Sequence, residues 1–284
     1  MADKGAVVIT GASTGIGEAC ALHLDKLGFR VFAGIRKAAD AEALRHRASA
    51  RLVPIRLDVS DETEVEQAAR NVTEALRGEG LAGLVNNAGI VVAGMLEFLP
   101  LDALRRQLEV NVVGQVAVTQ AFLPHLRKAR GRIVNIGSVS GLIAGPFSGA
   151  YAASKFALEA LTDALRVELR PWKIHVSIVE PGNIQTPIWK KSRAAAEALH
   201  AQLPAEAERL YGPYLRAARA VTQKSAAEAA PPAVVVKAVA HALLSRWPRT
   251  RYMVGRHAGL EVRIGCWLPD RWRDALIARY MGLK

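Results

Sequence analysis

Six short apolar runs, at residues 6–10, 30–35, 52–57, 83–86, 132–136 and 174–179, recur through the first 180 residues, and longer stretches of helical periodicity separate them. Each run is too short for a helix and rich in Val, Ile and Leu, the pattern of a strand buried on both faces. The intervening stretch from Asp61 is typical of the helices: Val65, Ala68, Ala69, Val72 and Leu76 share one face, while Glu62, Glu64 and Arg70 fall elsewhere. Strands that alternate with helices imply a parallel sheet covered on both sides. Right-handed crossovers then predict an α/β, doubly wound parallel sheet with its ligand site beyond the carboxyl ends of the strands. No internal repeat or disordered linker interrupts these 180 residues.

The 284 residues are 51% hydrophobic and 23% charged, enough apolar material for one large core, so residues 1–284 are read as a single domain. Cys20 and Cys266 are the two cysteines, too few for a secreted disulfide framework or a four-cysteine zinc site. No apolar run has the length of a signal-peptide core or of a membrane span, and a soluble, cytoplasmic protein is expected. The formal charge is +12, without zinc-ligand spacing, RNA-binding aromatic motif or long basic block, so nucleic acid is not an expected partner. Nine Lys/Arg against three Asp/Glu place +6 of that charge in residues 246–284.

The pattern changes after Pro181. Residues 187–230 are Ala-rich, with Pro204, Pro213 and Pro231-Pro232 as expected breaks, and are read as short helices forming a substrate lid. A helix over 233–244, a strand over 252–254 and a basic, aromatic C-terminal extension over 246–284 complete the chain.

The first strand runs into Thr10-Gly11-Ala12-Ser13-Thr14-Gly15-Ile16-Gly17, followed by a helix over 18–27. Glycines after a first strand let backbone approach a pyrophosphate, and the helix N-terminus beyond them offers N–H groups and a positive dipole end. The second strand ends in Arg36-Lys37 with no acid before Asp40. A 2'-hydroxyl is held by an acid at this point and a 2'-phosphate by a cation, so NADP is favoured over NAD.

Tyr151 and Lys155 are four residues apart, hence on one helix face, and a cation beside a phenol favours its ionised form. Ser138, thirteen residues upstream, ends a strand where an active-site hydroxyl belongs in such a fold. Together with Leu57-Asp58-Val59, Asn86-Asn87-Ala88-Gly89, Asn111 and Pro181-Gly182 followed by Thr186, these residues resemble the short-chain dehydrogenases/reductases. The resemblance covers about residues 5–186 in the family's order and spacing.

The resemblance implies a Rossmann-type oxidoreductase. It puts Gly11, Ser13, Thr14, Gly15, Ile16 and Gly17 at the pyrophosphate turn, Arg36 at the adenosine ribose, Asp58 near adenine, and Asn86, Ala88 and Gly89 along the cofactor. Asn111 is expected to anchor a water leading to Lys155, which holds the nicotinamide ribose and lowers the tyrosine pKa. Ser138 would bond the substrate oxygen while Tyr151 gives or takes its proton. Pro181, Gly182, Ile184 and Thr186 would hold the carboxamide, giving pro-S hydride transfer. Asp58 before Ser60 also fits simple turn chemistry, and a buried Asn111 bonded to backbone fits as well. No metal is expected, because His125, His175 and His241 show no ligand spacing.

The long insertion carries Ile188, Trp189, Leu199, Leu203, Tyr211, Tyr214 and Leu215, and the extension adds Trp247, Trp267 and Trp272. This layout is closer to the steroid and retinol dehydrogenase branch than to the shorter acyl-carrier-protein reductases, and implies a small hydrophobic alcohol or ketone and a homodimer or homotetramer. Two other classes stay open: a 3-oxoacyl thioester reductase drawn to an acidic carrier protein by the basic surface, and a non-catalytic nucleotide-sensing scaffold. From Asp270, the residues Trp272, Leu276, Ile277, Tyr280 and Met281 form an apolar stripe. It either folds back over the pocket or a neighbouring subunit, the favoured reading, or makes peripheral contact with an anionic membrane.

Overall fold

The computed structural model describes residues 4–256 and 258–282. His257, Leu283 and Lys284 of the expected extension lie outside the described residues, as do residues 1–3. Strands β1 (Ala6–Ile9), β2 (Arg30–Ile35), β3 (Leu52–Arg56), β4 (Leu81–Asn86), β5 (Arg132–Ile136), β6 (His175–Pro181) and β7 (Arg251–Val254) form one sheet in the order β3-β2-β1-β4-β5-β6-β7. Every neighbouring pair is parallel. The doubly wound fold expected from the alternation is the one observed.

The all-apolar strand runs follow from two covered faces. In β1, Val7 and Ile9 enter one core, with helices α1 (Gly15–Lys26), α2 (Ala38–Arg45) and α9 (Ala233–Leu244), whereas Ala6 and Val8 enter the other. That second core is closed by α3 (Glu62–Leu76) and α5 (Gly114–Ala129), beside which α4 (Leu101–Leu108) packs on α6 (Gly149–Glu168). Successive strand side chains point to opposite faces, so burial on both sides removes the polar alternation a one-sided sheet would show. The strand order reverses between β1 and β4, and the turns leaving both strands open into the crevice there.

Helix boundaries follow local chemistry. Asp61 caps α3 by accepting a hydrogen bond from the Glu64 N–H at 3.1 Å. The first helix begins at Gly15, three residues before the expected start, because Thr14 is the extended N-cap and the glycines belong to the turn and first helical residues together.

Beyond β6, the lid consists of α7 (Ile188–His200) and α8 (Ala205–Ala227). Pro213, read as a break, lies inside the 23-residue α8 instead. Proline removes one N–H from the helical ladder but leaves φ in the helical range, and the surrounding Ala, Leu, Arg and Glu residues carry the helix through it. Helices α10 (Ala258–Trp267) and α11 (Asp270–Tyr280) turn back toward the lid: a side chain at Gly282 would stand 3.7 Å from Ala217 Cβ in α8. Among the described residues no helix is long and apolar enough to cross a membrane.

Candidate active site

The glycine turn between β1 and α1 is built so that little but backbone lines it. Gly11 and Gly15 adopt φ of +63° and +65°, the left-handed region that a Cβ disfavours. Gly17 has a different reason: a Cβ there would stand 2.3 Å from Gly11 O and 2.4 Å from Asn87 Nδ2. Asn87 fixes the turn from the other side of the crevice. Its Nδ2 donates to Thr10 O at 2.9 Å and Gly11 O at 3.0 Å, while Thr10 Oγ1 accepts from the N–H groups of Asn87 and Ala88, both at 2.9 Å. Thr10 and Asn87 were absent from the expected site residues. Both were visible in the quoted motifs, but their job is to hold two loops together, which spacing alone does not reveal.

Asn86, expected along the cofactor, is buried at the end of β4 and donates through Nδ2 to Thr119 Oγ1 at 2.9 Å and Asn135 Oδ1 at 3.0 Å. It joins β4 to α5 and β5. Ala88 and Gly89 follow, and a side chain at 89 would meet Asn111 Oδ1 at 3.4 Å.

Arg36 stands exposed at the end of β2, its Nη1 3.7 Å from Asp58 Oδ2. Asp58 Oδ1 accepts from the Ser60 N–H at 3.1 Å and hydroxyl at 2.7 Å, so the turn chemistry read as an alternative is present. Partial burial raises the Asp58 pKa, but the Ser60 bonds and the Arg36 and Arg106 charges outweigh it, and the carboxyl sits below its ordinary value. The turn from Gly11 to Gly17 fits a dinucleotide: the glycines leave a backbone-lined cradle at a helix N-terminus.

Tyr151 and Lys155 occupy the first two turns of α6, and Ser138 caps the short 3-10 turn after β5, accepting from the Ser140 N–H at 3.1 Å. Burial pushes the Tyr151 phenol above its usual 10, and the hydrogen bond from Ser138 pulls it part of the way back. Lys155 is 5% exposed, and Nζ donates to Ile136 O at 2.8 Å. Desolvation brings this ammonium down to about 8, against the opposing charge of Glu159. Nζ is 5.8 Å from the centre of the Tyr151 ring.

Asn111 lies in a π-helical turn, Glu109–Val113, between α4 and α5. Its Oδ1 accepts from the Ile90 N–H at 2.9 Å, and its Nδ2 donates to Ile90 O and Ser154 Oγ, both at 3.1 Å. The side chain is thus spent on structure, in line with the backbone-bonded alternative. Such widened turns recur at functional sites because they re-aim backbone groups.

Pro181 and Gly182 lead from β6, with the Gly182 N–H donating to Val254 O at 2.8 Å. Ile184 is buried, and its carbonyl accepts from the Trp189 indole at 2.7 Å. Thr186 lies over the glycine turn: a Cβ on Gly15 would be 3.2 Å from Thr186 Cβ. Lys191 Nζ, one turn into α7, donates to Thr14 Oγ1 at 3.3 Å. The start of the lid therefore rests on the turn itself.

A cavity of about 590 Å³ extends from Thr186 and Ser148 beneath α7 and α8. Met95, Phe98, Leu99, Phe147, Trp189, Leu199, Leu203, Leu215 and Met281 give it an apolar wall. Tyr211 fastens α8 to the near rim, donating to Glu97 Oε2 at 2.6 Å and meeting Phe98 edge-on at a centroid distance of 6.0 Å. Trp247, Trp267 and Trp272, grouped with the lid on sequence, are 75%, 87% and 71% exposed and are not among the wall residues. Among the described residues no cluster of His, Cys, Asp or Glu could hold a metal, and His125 and His241 instead bond Thr73 and Tyr252 at 2.9 and 2.8 Å.

The short chain dehydrogenase family matches over residues 5–197. The chain belongs to that family. It is 40% identical over 279 residues to retinol dehydrogenase 5 of Mus musculus, covering 95% of this chain and 87% of that protein. It is 37% identical over 278 residues to 17-beta-hydroxysteroid dehydrogenase type 6 of Bos taurus, covering 96% and 87%. Among solved structures, a short chain dehydrogenase/reductase of Burkholderia phymatum in complex with NAD superposes with a TM-score of 0.77 at 28% identity, covering 92% of each chain. A short chain dehydrogenase of Burkholderia cenocepacia in complex with NADP gives 0.71 at 28% identity, covering 97% and 96%. The chain is thus an oxidoreductase of the steroid and retinol branch of the short-chain dehydrogenases/reductases, with a fold that binds a nicotinamide dinucleotide.

Proposed function

We propose that the protein interconverts a bulky, lipophilic secondary alcohol and its ketone with NADP(H), Tyr151 exchanging the proton. The observation that carries this reading is the Ser138–Tyr151 hydroxyl pair with Lys155 one turn along the same helix, close in sequence to Ser148 at the edge of an apolar cavity. When bound, the nicotinamide supplies or accepts the hydride. Ser138 has one proton to donate: in the free protein it goes to the Tyr151 oxygen and eases its ionisation, and with a ketone bound it turns to the substrate oxygen. Lys155 fixes the ribose and, through a water held by the backbone of the widened turn at Asn111, connects the tyrosine to solvent. Pro181, Gly182, Ile184 and Thr186 orient the ring for pro-S transfer, while α7 and α8 cover the substrate and keep water out.

Arg36 supports NADP, because no acid in β2 or in the two residues after it competes for a ribose hydroxyl. The relatives' names, a retinol and a hydroxysteroid dehydrogenase, point to the same substrate class as the cavity. The exposed Phe156 and Val167 on α6 support a homodimer or homotetramer, and the two free cysteines agree with a reducing cytoplasm. A panel of steroids, retinoids, medium-chain ketones and acyl thioesters, assayed with NADPH and NADH, tests the reading. Turnover of lipophilic alcohols or ketones with NADPH is the expected result. Turnover confined to carrier-bound thioesters would overturn it.

A further inference from the structure

Beneath the proposed catalytic residues lies a buried carboxyl cluster that the mechanism above does not use. Glu180, at the end of β6, is 0% exposed, and Glu159, one turn beyond Lys155 on α6, is 7% exposed. Both oxygens of Glu180 and Oε1 of Glu159 are buried without a conventional hydrogen-bond partner. The cation that faces them is Arg251 of β7, with Nε 3.4 Å from Glu180 Oε1 and Nη2 3.3 Å from Glu159 Oε2. Asp163, a further turn along α6, takes the closest share of that guanidinium at 2.7 Å and also pairs with Arg166 at 2.7 Å. Three carboxyl groups converge on Arg251, while the remaining facing charge is Lys155 on the active-site side of Glu159. One guanidinium shared among three carboxyl groups leaves the buried pair short of positive charge, and two like charges in one buried site are costly to keep.

Glu159 is also the residue on which the catalytic loop rests. The chain around Ser138 is bracketed by Gly137 and Gly141, and side chains there would stand 3.3 Å from Glu159 Oε1 and 3.2 Å from Glu159 Cγ. One side chain therefore touches the Ser138 loop, opposes the desolvation of Lys155 and faces the end of β6, from which the Pro181–Thr186 segment departs.

We infer that Glu159 and Glu180 share one proton, Glu180 donating it to an ionised Glu159, and that this pair is a positioning device that holds Lys155 charged and joins the tyrosine helix to the nicotinamide-binding segment. The greater burial of Glu180 assigns it the acid form, and Glu159, which accepts a hydrogen bond from Arg251 and lies nearer Lys155, the carboxylate. A protonated carboxyl also supplies the donor that the unpartnered oxygens lack. Burial and the neighbouring Glu159 charge keep the Glu180 carboxyl up at about 8, so the acid form persists at neutral pH.

The effect on turnover rests on the reading given under Proposed function, whereas the proton itself does not. Infrared spectra of the full chain in D2O at pH 7 should contain a protonated-carboxyl band that disappears above about pH 9 and is absent from Glu180→Gln. Thermal unfolding gives a second readout. A carboxyl whose folded pKa lies above its unfolded value of 4.5 contributes stability that is lost as pH rises toward about 8. The Tm of Glu180→Gln relative to the unmodified protein should therefore climb between pH 5 and 8 and level off beyond. On an active substrate, Glu159→Gln should move the alkaline limb of the kcat/KM profile down by about one pH unit, through loss of a nearby opposite charge on Lys155. Glu180→Gln, which retains Glu159, should leave that limb in place. No carboxyl band and a pH-independent Tm difference would overturn the shared proton. A limb that moves equally in both variants, or in neither, would overturn the link to Lys155.

Discussion

At the scale of single residues, Tyr151→Phe isolates one hydroxyl, because the ring keeps its packing and its place beside Ser138. Losing a general acid/base typically costs about 10²- to 10⁴-fold in rate. Turnover should fall within that range while NADPH affinity, measured by fluorescence titration, stays near that of the unmodified protein. Near-native turnover would remove Tyr151 from the mechanism. Arg36→Asp should reverse cofactor preference, since a charge-assisted bond to the 2'-phosphate is worth about 1.5 to 3 kcal/mol, roughly ten- to a hundredfold in binding. Equal dissociation constants for NADPH and NADH in the unmodified protein would defeat that assignment. Ser138, Tyr151 and Lys155 could be named from sequence because helix spacing and strand ends fix relative placement. Asn87, Glu159, Glu180 and Arg251 could not, since their significance lies in burial and in partners up to 92 residues away, as for Glu159 and Arg251.

Elements were legible where periodicity and turn chemistry agreed. The sheet was readable because each strand is apolar on both faces, and α9 begins and ends at the residues expected, 233 and 244, where Pro232 precedes it. The lid was harder. Ala-rich sequence has no strong face, and a proline inside it counts as a break until the surrounding helix proves long enough to absorb it. Because α8 continues on both sides of Pro213, the residue weakens a helix it does not end. Proline in a helix interior is about 3 kcal/mol less favourable than alanine, and tertiary contacts reduce the difference. Pro213→Ala should therefore raise Tm by a few degrees in calorimetry and slow hydrogen exchange across residues 205–227. If Tm instead falls, Pro213 is serving a packing role that outweighs the restored N–H.

On the scale of the whole molecule, the two readings of the tail turn out to concern different faces of one helix. Met281 lines the cavity and Ile277 is half-buried, whereas Trp272, Leu276 and Tyr280 are 71%, 52% and 62% exposed. The inner edge of α11 folds back, as the favoured reading held, but the larger part of the apolar stripe does not. A heptad-style count could not separate these because Trp272, Leu276 and Tyr280 recur at four-residue spacing while Arg273, Ile277 and Met281 do the same one position later. Only the position of α8 decides which row faces inward. The glycine turn and Arg36, by contrast, lie at the opposite end of the chain's order, where Lys191 at the start of α7 reaches Thr14. Deleting residues 270–284, which keeps the buried Ala258 of α10 against Gly182, should then raise KM for a bulky substrate by opening the Met281 side of the cavity, while the NADPH dissociation constant changes less than about threefold, within roughly 0.7 kcal/mol. Steady-state kinetics and cofactor titration on the truncated protein measure the two terms separately. A matching loss in both would mean that the tail supports the whole fold, and an unchanged KM would show that Met281 closes no part of the substrate's path.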